Sequence, residues 1–288
     1  MAALNWARSL LARARVGLTL EAGEFGLRAV ARGAWRAQQG AYCREQGIRE
    51  AHFNHAKGYL SDGGRYGFLA AWPELEGVKI LDPDVRSLEF LQALPALRSL
   101  DLPFTGKLGR GIDLSSITRL ERLNLAGRFP GLDSVFACRG LKRLGLGHYP
   151  GRLESAAFAA LAGLEQLSLS AIILPELDAL AGLPALQNLS IAGNRSLVSL
   201  DGLSGARRLR HLTLESCPQI GSLVALAGLE ELRSLWLYDC GPLESLRPLA
   251  ACLQLRELNI LGNTRIADGD FTVLDHLPQL STVCIAGR

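Results

Sequence analysis

Two aromatic residues in the last quarter of the chain, Trp236 and Tyr238, are separated by a single residue. In a strand, residues two apart point to the same face, so this spacing predicts a shared surface. Trp and Tyr are enriched at protein-binding hot spots because each joins a large apolar surface to a polar group. Charged and polar residues accompany the pair one repeat earlier, one repeat later and directly after it, namely His211, Glu215, Asp239, Glu257 and Asn259. An aromatic centre with a polar rim predicts recognition of another protein.

These residues belong to a pattern that recurs through most of the sequence. Leu-x-x-Leu-x-Leu, with Val or Ile allowed, returns about every 23 residues from Leu75 to Ile285. The alternating end of the motif predicts a short strand with one buried face. The segments between the motifs carry apolar residues at every third position, which favours 3₁₀ turns. A fixed period in this range predicts a solenoid of stacked units. The ten motifs begin at Leu75, Leu97, Leu120, Leu141, Leu164, Leu186, Leu209, Leu232, Leu255 and Leu280.

The motifs resemble those of the leucine-rich repeat family, and the resemblance covers about residues 75–280. The 22–23-residue step is similar to the short-repeat classes, the protein-phosphatase-regulator-like and internalin-like repeats. The resemblance implies an α/β solenoid, a horseshoe or arc, with a parallel β-sheet on the concave face and 3₁₀-rich convex returns. It also implies protein–protein interaction.

The family usually places Asn three positions after the last strand Leu, where the side chain satisfies buried backbone groups of the turn. Asn194 and Asn263 hold this place, and Cys217 and Cys240 substitute for Asn. Thr105 is a further candidate. The middle repeats depart from the pattern, so we expect less regular turns between about residues 103 and 175. The residues that break the pattern there are Arg128, Tyr149 and Ile172.

The sequence predicts two parts, an N-terminal capping segment over residues 1–47 and a repeat solenoid over residues 48–288. The solenoid has about 10–11 repeats, because Ile48, Ala51 and Phe53 form a degenerate unit before Leu75. The candidate apolar residues of the cap are Trp6, Phe25, Leu27 and Trp35.

Both ends of the chain leave alternatives open. Residues 1–20 carry arginines and no acid before Glu21, which fits a first helix of the cap best, or else a basic amphipathic helix or a transit peptide. No amphipathic segment follows the last strand at Ile285. Three interpretations stand equally there: a fragment of a longer protein, self-association through the uncapped end, or a tolerated edge.

Composition excludes several classes of function. The chain has 288 residues, 48% of them hydrophobic, with a net charge of only +3, which argues against nucleic acid as the main ligand. No apolar run reaches the ~18 residues of a transmembrane segment. The six cysteines show no metal-binding spacing, and several occupy repeat positions, which favours buried thiols and a reducing compartment such as the cytoplasm.

Motifs for catalysis are weak. Gly145–Gly151 and Thr105–Lys107 do not have the spacing of phosphate-binding loops. His52 and His55 have no evident carboxylate or thiol partner, which favours surface histidines. Cys43 stands beside Arg44, which lowers the pKa of a neighbouring thiol. We expect no catalytic residue, no cofactor and no metal site.

Charged residues suggest two secondary features. Arg122 and Arg143, with His148, indicate a mildly basic patch on the middle repeats, although a solvated face is the more economical interpretation. A row of three arginines recurs at one repeat position and consists of Arg210, Arg233 and Arg256. The row either pairs with Glu230, Glu231 and Glu257 or anchors an acidic partner.

The sequence therefore predicts a non-catalytic scaffold that binds a partner protein through the open face of its sheet, centred on residues 209–261. Trp236 has a competing interpretation, in which it merely covers its neighbours Thr213 and Asn259. The alternative function is the recognition half of a larger effector enzyme whose catalytic domain lies elsewhere. A binder of glycans or anionic lipids is a weaker third possibility. The partner's identity, and an adaptor as against an inhibitor or immunity role, stay open.

Overall fold

The computed structural model describes residues 17–103, 108, 111–153 and 155–286, and the chain divides into two compact units at Gly140 and Leu141. The predictions that concern residues 1–16 and Thr105 lie outside the described residues. In each unit the predicted parallel sheet with 3₁₀ returns is confirmed.

The main sheet of the first unit begins with an antiparallel hairpin and continues with parallel strands in the order β1-β2-β4-β6-β7-β8. The strands are β1 (Leu18–Ala22), β2 (Leu27–Ala31), β3 (Gly33–Ala34), β4 (Glu50–Asn54), β5 (Tyr59–Leu60), β6 (Gly77–Leu81), β7 (Ser99–Leu102) and β8 (Arg122–Ala126). The short strands β3 and β5 pair separately with each other. An α-helix, α1 (Ala37–Glu45), precedes β4. The 3₁₀ turns span His55–Lys57, Gly67–Ala71, Glu89–Ala93, Leu114–Ser116 and Leu132–Ala137.

The core of the first unit is rich in aromatic rings. Phe53 is fully buried, and the rings of Trp35 and Tyr59 lie 5.2 and 5.1 Å from it. Trp35 also stacks on Phe68, so it joins this core as the sequence predicts. Leu27, another candidate, is 49% exposed, and its predicted contribution to an apolar core is wrong.

The second unit is a regular parallel sheet with the order β9-β10-β11-β12-β13-β15-β17. Its strands are β9 (Arg143–Gly147), β10 (Gln166–Ser170), β11 (Asn188–Ala192), β12 (His211–Glu215), β13 (Ser234–Tyr238), β14 (Pro242–Leu243), β15 (Glu257–Leu261), β16 (Arg265–Ile266) and β17 (Thr282–Ile285). A small parallel pair, β14 and β16, lies outside this sheet. The returns contain α2 (Ser155–Phe158) and 3₁₀ turns at Ala159–Leu161, Asp178–Gly182, Asp201–Gly205, Val224–Gly228, Arg247–Ala251 and Thr272–His276.

The core of the second unit consists of leucine layers. Equivalent residues of successive strands pair in register, as with Leu189, Leu212 and Leu235, and each of these is at most 2% exposed. The period-three residues of the returns, such as Leu223 and Leu226, pack beneath them and are equally buried. Removing this surface from water is the main force that holds the repeats together.

The same turn geometry follows six neighbouring strands of the second unit's main sheet. The residue after each strand has a positive φ of 48–66°; these residues are His148, Ala171, Gly193, Ser216, Asp239 and Gly262. The amide groups of most of them extend the parallel ladder to the next strand, as from Ser216 to the carbonyl of Tyr238 at 2.8 Å. The expectation of irregular turns is therefore wrong after β9 and β10. It holds after β8, where Gly127 has a φ of 132° and Gly131 one of 84°.

The polar ladder inside the turns agrees with the sequence at three positions. Asn194 is 1% exposed and its Nδ2 donates to the carbonyl of Leu174 at 2.8 Å. The Cys217 and Cys240 thiols are buried and donate to carbonyls of the preceding rung, Ile191 and Leu214.

In two turns, the buried position lies one residue later in the chain than the sequence predicts. Asn263 is exposed, and Thr264 takes the buried place, where its Oγ1 accepts from the amide of Cys240 at 3.0 Å. The prediction for Asn263 is wrong because the turn after β15 contains one additional residue. After β8, where the sequence predicts that Arg128 breaks the polar ladder, Phe129 fills the buried place and Arg128 is exposed to solvent.

Candidate functional site

The residues that alternate with the buried leucines of β12, β13 and β15 form a continuous surface, which we call the aromatic face. Parallel register places Thr213, Trp236 and Asn259 in one row. A second row contains Glu215, Tyr238 and Leu261. The sequence prediction that these strands carry Trp236 and Tyr238 side by side on the open face is therefore realised by the sheet.

Trp236 and Tyr238 are unusually exposed for large aromatic side chains, at 41% and 45%. Leu235 and Leu237, their neighbours on the same strand, are at most 1% exposed and hold the strand in place. Neither ring stacks with another ring or with a cation of the described residues. The aromatic face therefore presents two rigidly placed but uncovered rings.

Glu257 is the most constrained acid of the aromatic face. Its carboxylate accepts from Ser234 Oγ and Asn259 Nδ2, each at 3.0 Å. Burial opposes ionisation, but hydrogen bonds from Ser234, Trp236 and Asn259 outweigh it and hold the pKa of Glu257 below its usual value. The carboxylate is therefore charged at neutral pH and positioned beside Trp236. Asn259, at 7% exposed, serves mainly to orient it.

The other two acids predicted here differ in role. Glu215 is exposed beside Tyr238 and forms no ion pair with any residue the structure describes. Asp239 lies in the left-handed turn after β13, and its Oδ1 accepts from the amide and Nδ2 of Asn263 at 2.8 and 2.9 Å. Asp239 thus stabilises the turn, whereas Glu215 is held by no ion pair with a described residue. His211 is exposed at the start of β12, and its position relative to Glu257 favours the charged carboxylate.

The row of three arginines is only partly neutralised. Arg210 pairs with Glu231 at 3.0 Å. Arg233 and Arg256 form no ion pair with the described residues, and Nε of Arg233 is buried without a partner among them. Glu257 bonds to the polar side chains around it, so the predicted pairing of Glu257 with this row is wrong.

The two arginines predicted to form a middle patch belong to different units. Arg143 is exposed on β9, four strands from β13 and about 19 Å away at the usual strand spacing. It lies outside the aromatic face. Arg122 starts β8 in the first unit and forms an ion pair with Glu24.

Glu24 reaches Arg122 because the β1–β2 hairpin folds over the open face of the first unit. The amide of Phe25 donates to the Glu50 carboxylate, and the ring lies near Gly77, where a Cβ would approach it to 3.4 Å. Glu50, Gly77 and Arg122 occupy one register row of the sheet. The hairpin tip therefore covers this part of the first unit, a contact that no periodic signal in the sequence predicts.

The histidines and cysteine considered for catalysis have structural surroundings. His52 is 5% exposed and therefore not a surface residue, because β2 and β6 flank it and charged side chains surround it. His55 Nε2 lies 3.4 Å from Oδ1 of Asp82, a carboxylate partner that is not evident from the sequence. Burial raises the pKa of the Cys43 thiol to about 12, which outweighs the opposite effect of Arg44.

The described residues form neither a metal-binding cluster nor a membrane-spanning helix. No group of three or more His, Cys, Asp and Glu side chains is arranged to hold a metal ion within the described ranges. In the part of the chain that the structure describes, no helix has the length and apolar character needed to cross a membrane.

Comparison with known proteins reveals similarity in structure alone. No family model and no curated protein matches the sequence. An internalin of Listeria monocytogenes, InlF, superposes with a TM-score of 0.64 at 17% identity, covering 90% of this chain and 80% of that one. A leucine-rich repeat protein of Leptospira interrogans superposes with a TM-score of 0.57 at 13% identity, covering 90% and 77%.

A third structure also superposes on most of this chain. The functional domain of InlJ from Listeria monocytogenes, which includes a cysteine ladder, superposes with a TM-score of 0.52 at 19% identity. The match covers 82% of this chain and 47% of that one. With its repeating sequence motif, its parallel strands and its 3₁₀ returns, the chain has the leucine-rich repeat fold.

Proposed function

We propose that this chain is a non-catalytic scaffold that binds a partner protein through the aromatic face. The observation that carries the proposal is the exposure of Trp236 and Tyr238 on a rigid sheet, beside a charged carboxylate. Leaving two large rings in water is unfavourable, and such rings are the usual energetic centre of a protein interface.

The surroundings of the rings support a protein partner over a small molecule. The aromatic face is a sheet surface with polar residues around two aromatic ones, an arrangement typical of protein interfaces. Its backbone is fixed by parallel pairing on both sides of β13, so binding orders little of the scaffold. In this proposal His211, Glu215, Glu257 and Asn259 form the rim. Arg143 and Arg122 take no part in the central contact.

Domain organisation and compartment belong to the same proposal. A capping segment over residues 1–47 is supported by the antiparallel pairing of β1 with β2, which contrasts with the parallel strands from β4 onward. A reducing compartment, such as the cytoplasm, is supported by the six cysteines, all of which are free.

The test is affinity capture from a native lysate with the wild-type chain and the variant Trp236→Ala/Tyr238→Ala, analysed by mass spectrometry. The control is Ile173→Ala/Val224→Ala, which removes two exposed apolar side chains outside the sheet strands. We expect a protein that the wild type and the control retain and that the aromatic variant loses. Its affinity should fall at least ~30-fold, since a hot-spot residue contributes about 2 kcal/mol or more.

If all three chains recover the same proteins, the proposal is contradicted and the binding site lies outside the aromatic face. Circular dichroism of the aromatic variant must match that of the wild type, because the proposal requires lost binding without lost folding.

A further inference from the structure

We propose that the partner presents a basic side chain, arginine or lysine, to the aromatic face, where Trp236 and Tyr238 receive the cation between the carboxylates of Glu215 and Glu257. This inference rests on the proposed function and specifies the chemistry of its partner.

The first argument is charge. In the part of the aromatic face contributed by β12, β13 and β15, the acidic side chains are those of Glu215 and Glu257, and no Lys or Arg lies on these strands. Neither carboxylate forms a salt bridge with a described residue, and His211 is the one basic side chain on these strands. The three arginines one residue before these strands form no salt bridge with either carboxylate, and Arg210 pairs with Glu231 instead. An uncompensated pair of carboxylates favours a cation from outside.

The second argument is the chemistry of the exposed rings. The face of an indole or phenol ring is electron-rich and attracts a cation, with the largest effect when the site is shielded from water. The chain makes this contact itself in the first unit, where the guanidinium of Arg98 lies 4.7 Å from the centroid of the Phe25 ring. Trp236 and Tyr238 have no such cation from the described residues.

The third argument is that Glu257 is prepared for a cation. Hydrogen bonds from its neighbours keep its carboxylate ionised and fixed in place next to Trp236. A fixed carboxylate binds an arginine or lysine with little loss of its own conformational freedom. Glu215 lies on the other side of β13, beside Tyr238, so a cation over the rings has a carboxylate on either side.

The positive net charge of the chain separates a local preference for a basic peptide from a general electrostatic attraction. The chain as a whole repels a basic peptide slightly, so a preference for such a peptide must come from local acidity. An acidic partner would instead favour the row of Arg210, Arg233 and Arg256.

The test uses three capped peptides with the same Gly-Ser framework, which carry arginine, the neutral isostere citrulline, or glutamate at identical positions. The full chain is labelled with 5-fluorotryptophan, and the Trp236 fluorine signal is assigned with Trp236→Phe. We expect a saturable shift of this signal by the arginine peptide, with binding at least about fivefold tighter than for the citrulline peptide.

The variants Glu215→Gln and Glu257→Gln should each reduce that preference, while Glu244→Gln, which removes an exposed carboxylate outside the sheet, should retain it. Any one of three results would overturn the inference. These are equal affinity for the arginine and citrulline peptides, tighter binding of the glutamate peptide, and no shift of the Trp236 signal by any peptide up to about 10 mM. The lysate experiment separates the two proposals. If a captured protein depends on Trp236 and Tyr238 while the arginine preference is absent, the scaffold function stands and the basic partner fails.

Discussion

The guanidinium of Arg98 lies 4.7 Å from the centroid of the Phe25 ring, and this contact holds the tip of the β1–β2 hairpin over the first unit's sheet. The ring fits there because Gly77 has no side chain; a Cβ would come within 2.9 Å of Glu50 and 3.4 Å of Phe25. The first unit thus covers an aromatic side chain with its own cation. The second unit leaves two such side chains open.

Replacing Phe25 should therefore loosen the hairpin. We expect Phe25→Ala to lower the free energy of unfolding by about 1–2 kcal/mol, through lost apolar burial and the lost cation–π contact. Phe25→Leu, which keeps apolar bulk without the ring, should recover part of this loss. Urea unfolding and hydrogen exchange at residues 22–27 measure both effects. Unchanged exchange in Phe25→Ala would show that the ring does not hold the tip.

The extent of the repeat architecture was predictable because its signal is periodic. Each strand has the same alternation and each return the same period of three, so errors at one repeat are corrected by the others. The hairpin tip has no such redundancy. Glu24 and Phe25 contact Arg122 and Arg98 across about 70–100 residues of sequence, and only the folded sheet brings them together.

The displaced ladder residue gives a second prediction. Thr264→Val keeps the shape of the buried side chain but leaves the amide of Cys240 without its acceptor, so we expect a loss of about 1–3 kcal/mol. The control is Asn263→Ala, an exposed residue where we expect at most about 0.5 kcal/mol. Urea unfolding of the two variants compares them directly. If Asn263→Ala lowers the free energy of unfolding more than Thr264→Val does, Asn263 holds the ladder position, as the count from the last strand residue predicts.

The exposure of the six thiols gives a third prediction. Five are buried, and burial raises the pKa of Cys138, Cys240 and Cys252 to about 11 and that of Cys43 to about 12. Because thiolate is the reactive form, these groups should react slowly with Ellman's reagent at neutral pH. We expect one rapid thiol in the native chain, removed by Cys284→Ser, and all six in denaturant. Rapid reaction at a second site would contradict the buried ladder.

The candidate site was predictable in its position and not in its electrostatics. Alternation along β13 places Trp236 and Tyr238 on one face, so their proximity follows from sequence. The bonds of Glu257 depend on the lateral register of three strands, which brings Ser234 and Asn259 to its carboxylate. The turn conformation of Asp239, and hence its bond to Asn263, is not encoded in residue type.

The buried imidazole of His52 gives a prediction about pH. Burial is the largest cause that lowers the pKa of His52 from its usual value of 6.5 to about 4. The nearby Lys57, Lys79 and Arg28 act in the same direction, and Glu21 opposes them. The unfolded chain takes up a proton near pH 6.5, whereas the folded chain resists until about pH 4. The free energy of unfolding should therefore be highest above pH 6.5 and fall as the pH decreases from 6.5 to 4.

The difference corresponds to about 3 kcal/mol over this window, at about 1.4 kcal/mol per unit. His52→Gln is neutral at every pH, so it should remove this part of the slope, as measured by urea unfolding at several pH values. His276→Gln makes the same change at an exposed histidine of the second unit and should retain the wild-type slope. If the slope of His52→Gln equals that of the wild type between pH 4 and 6.5, other groups carry the acid sensitivity of the first unit, and His52 is protonated there without loss of folding.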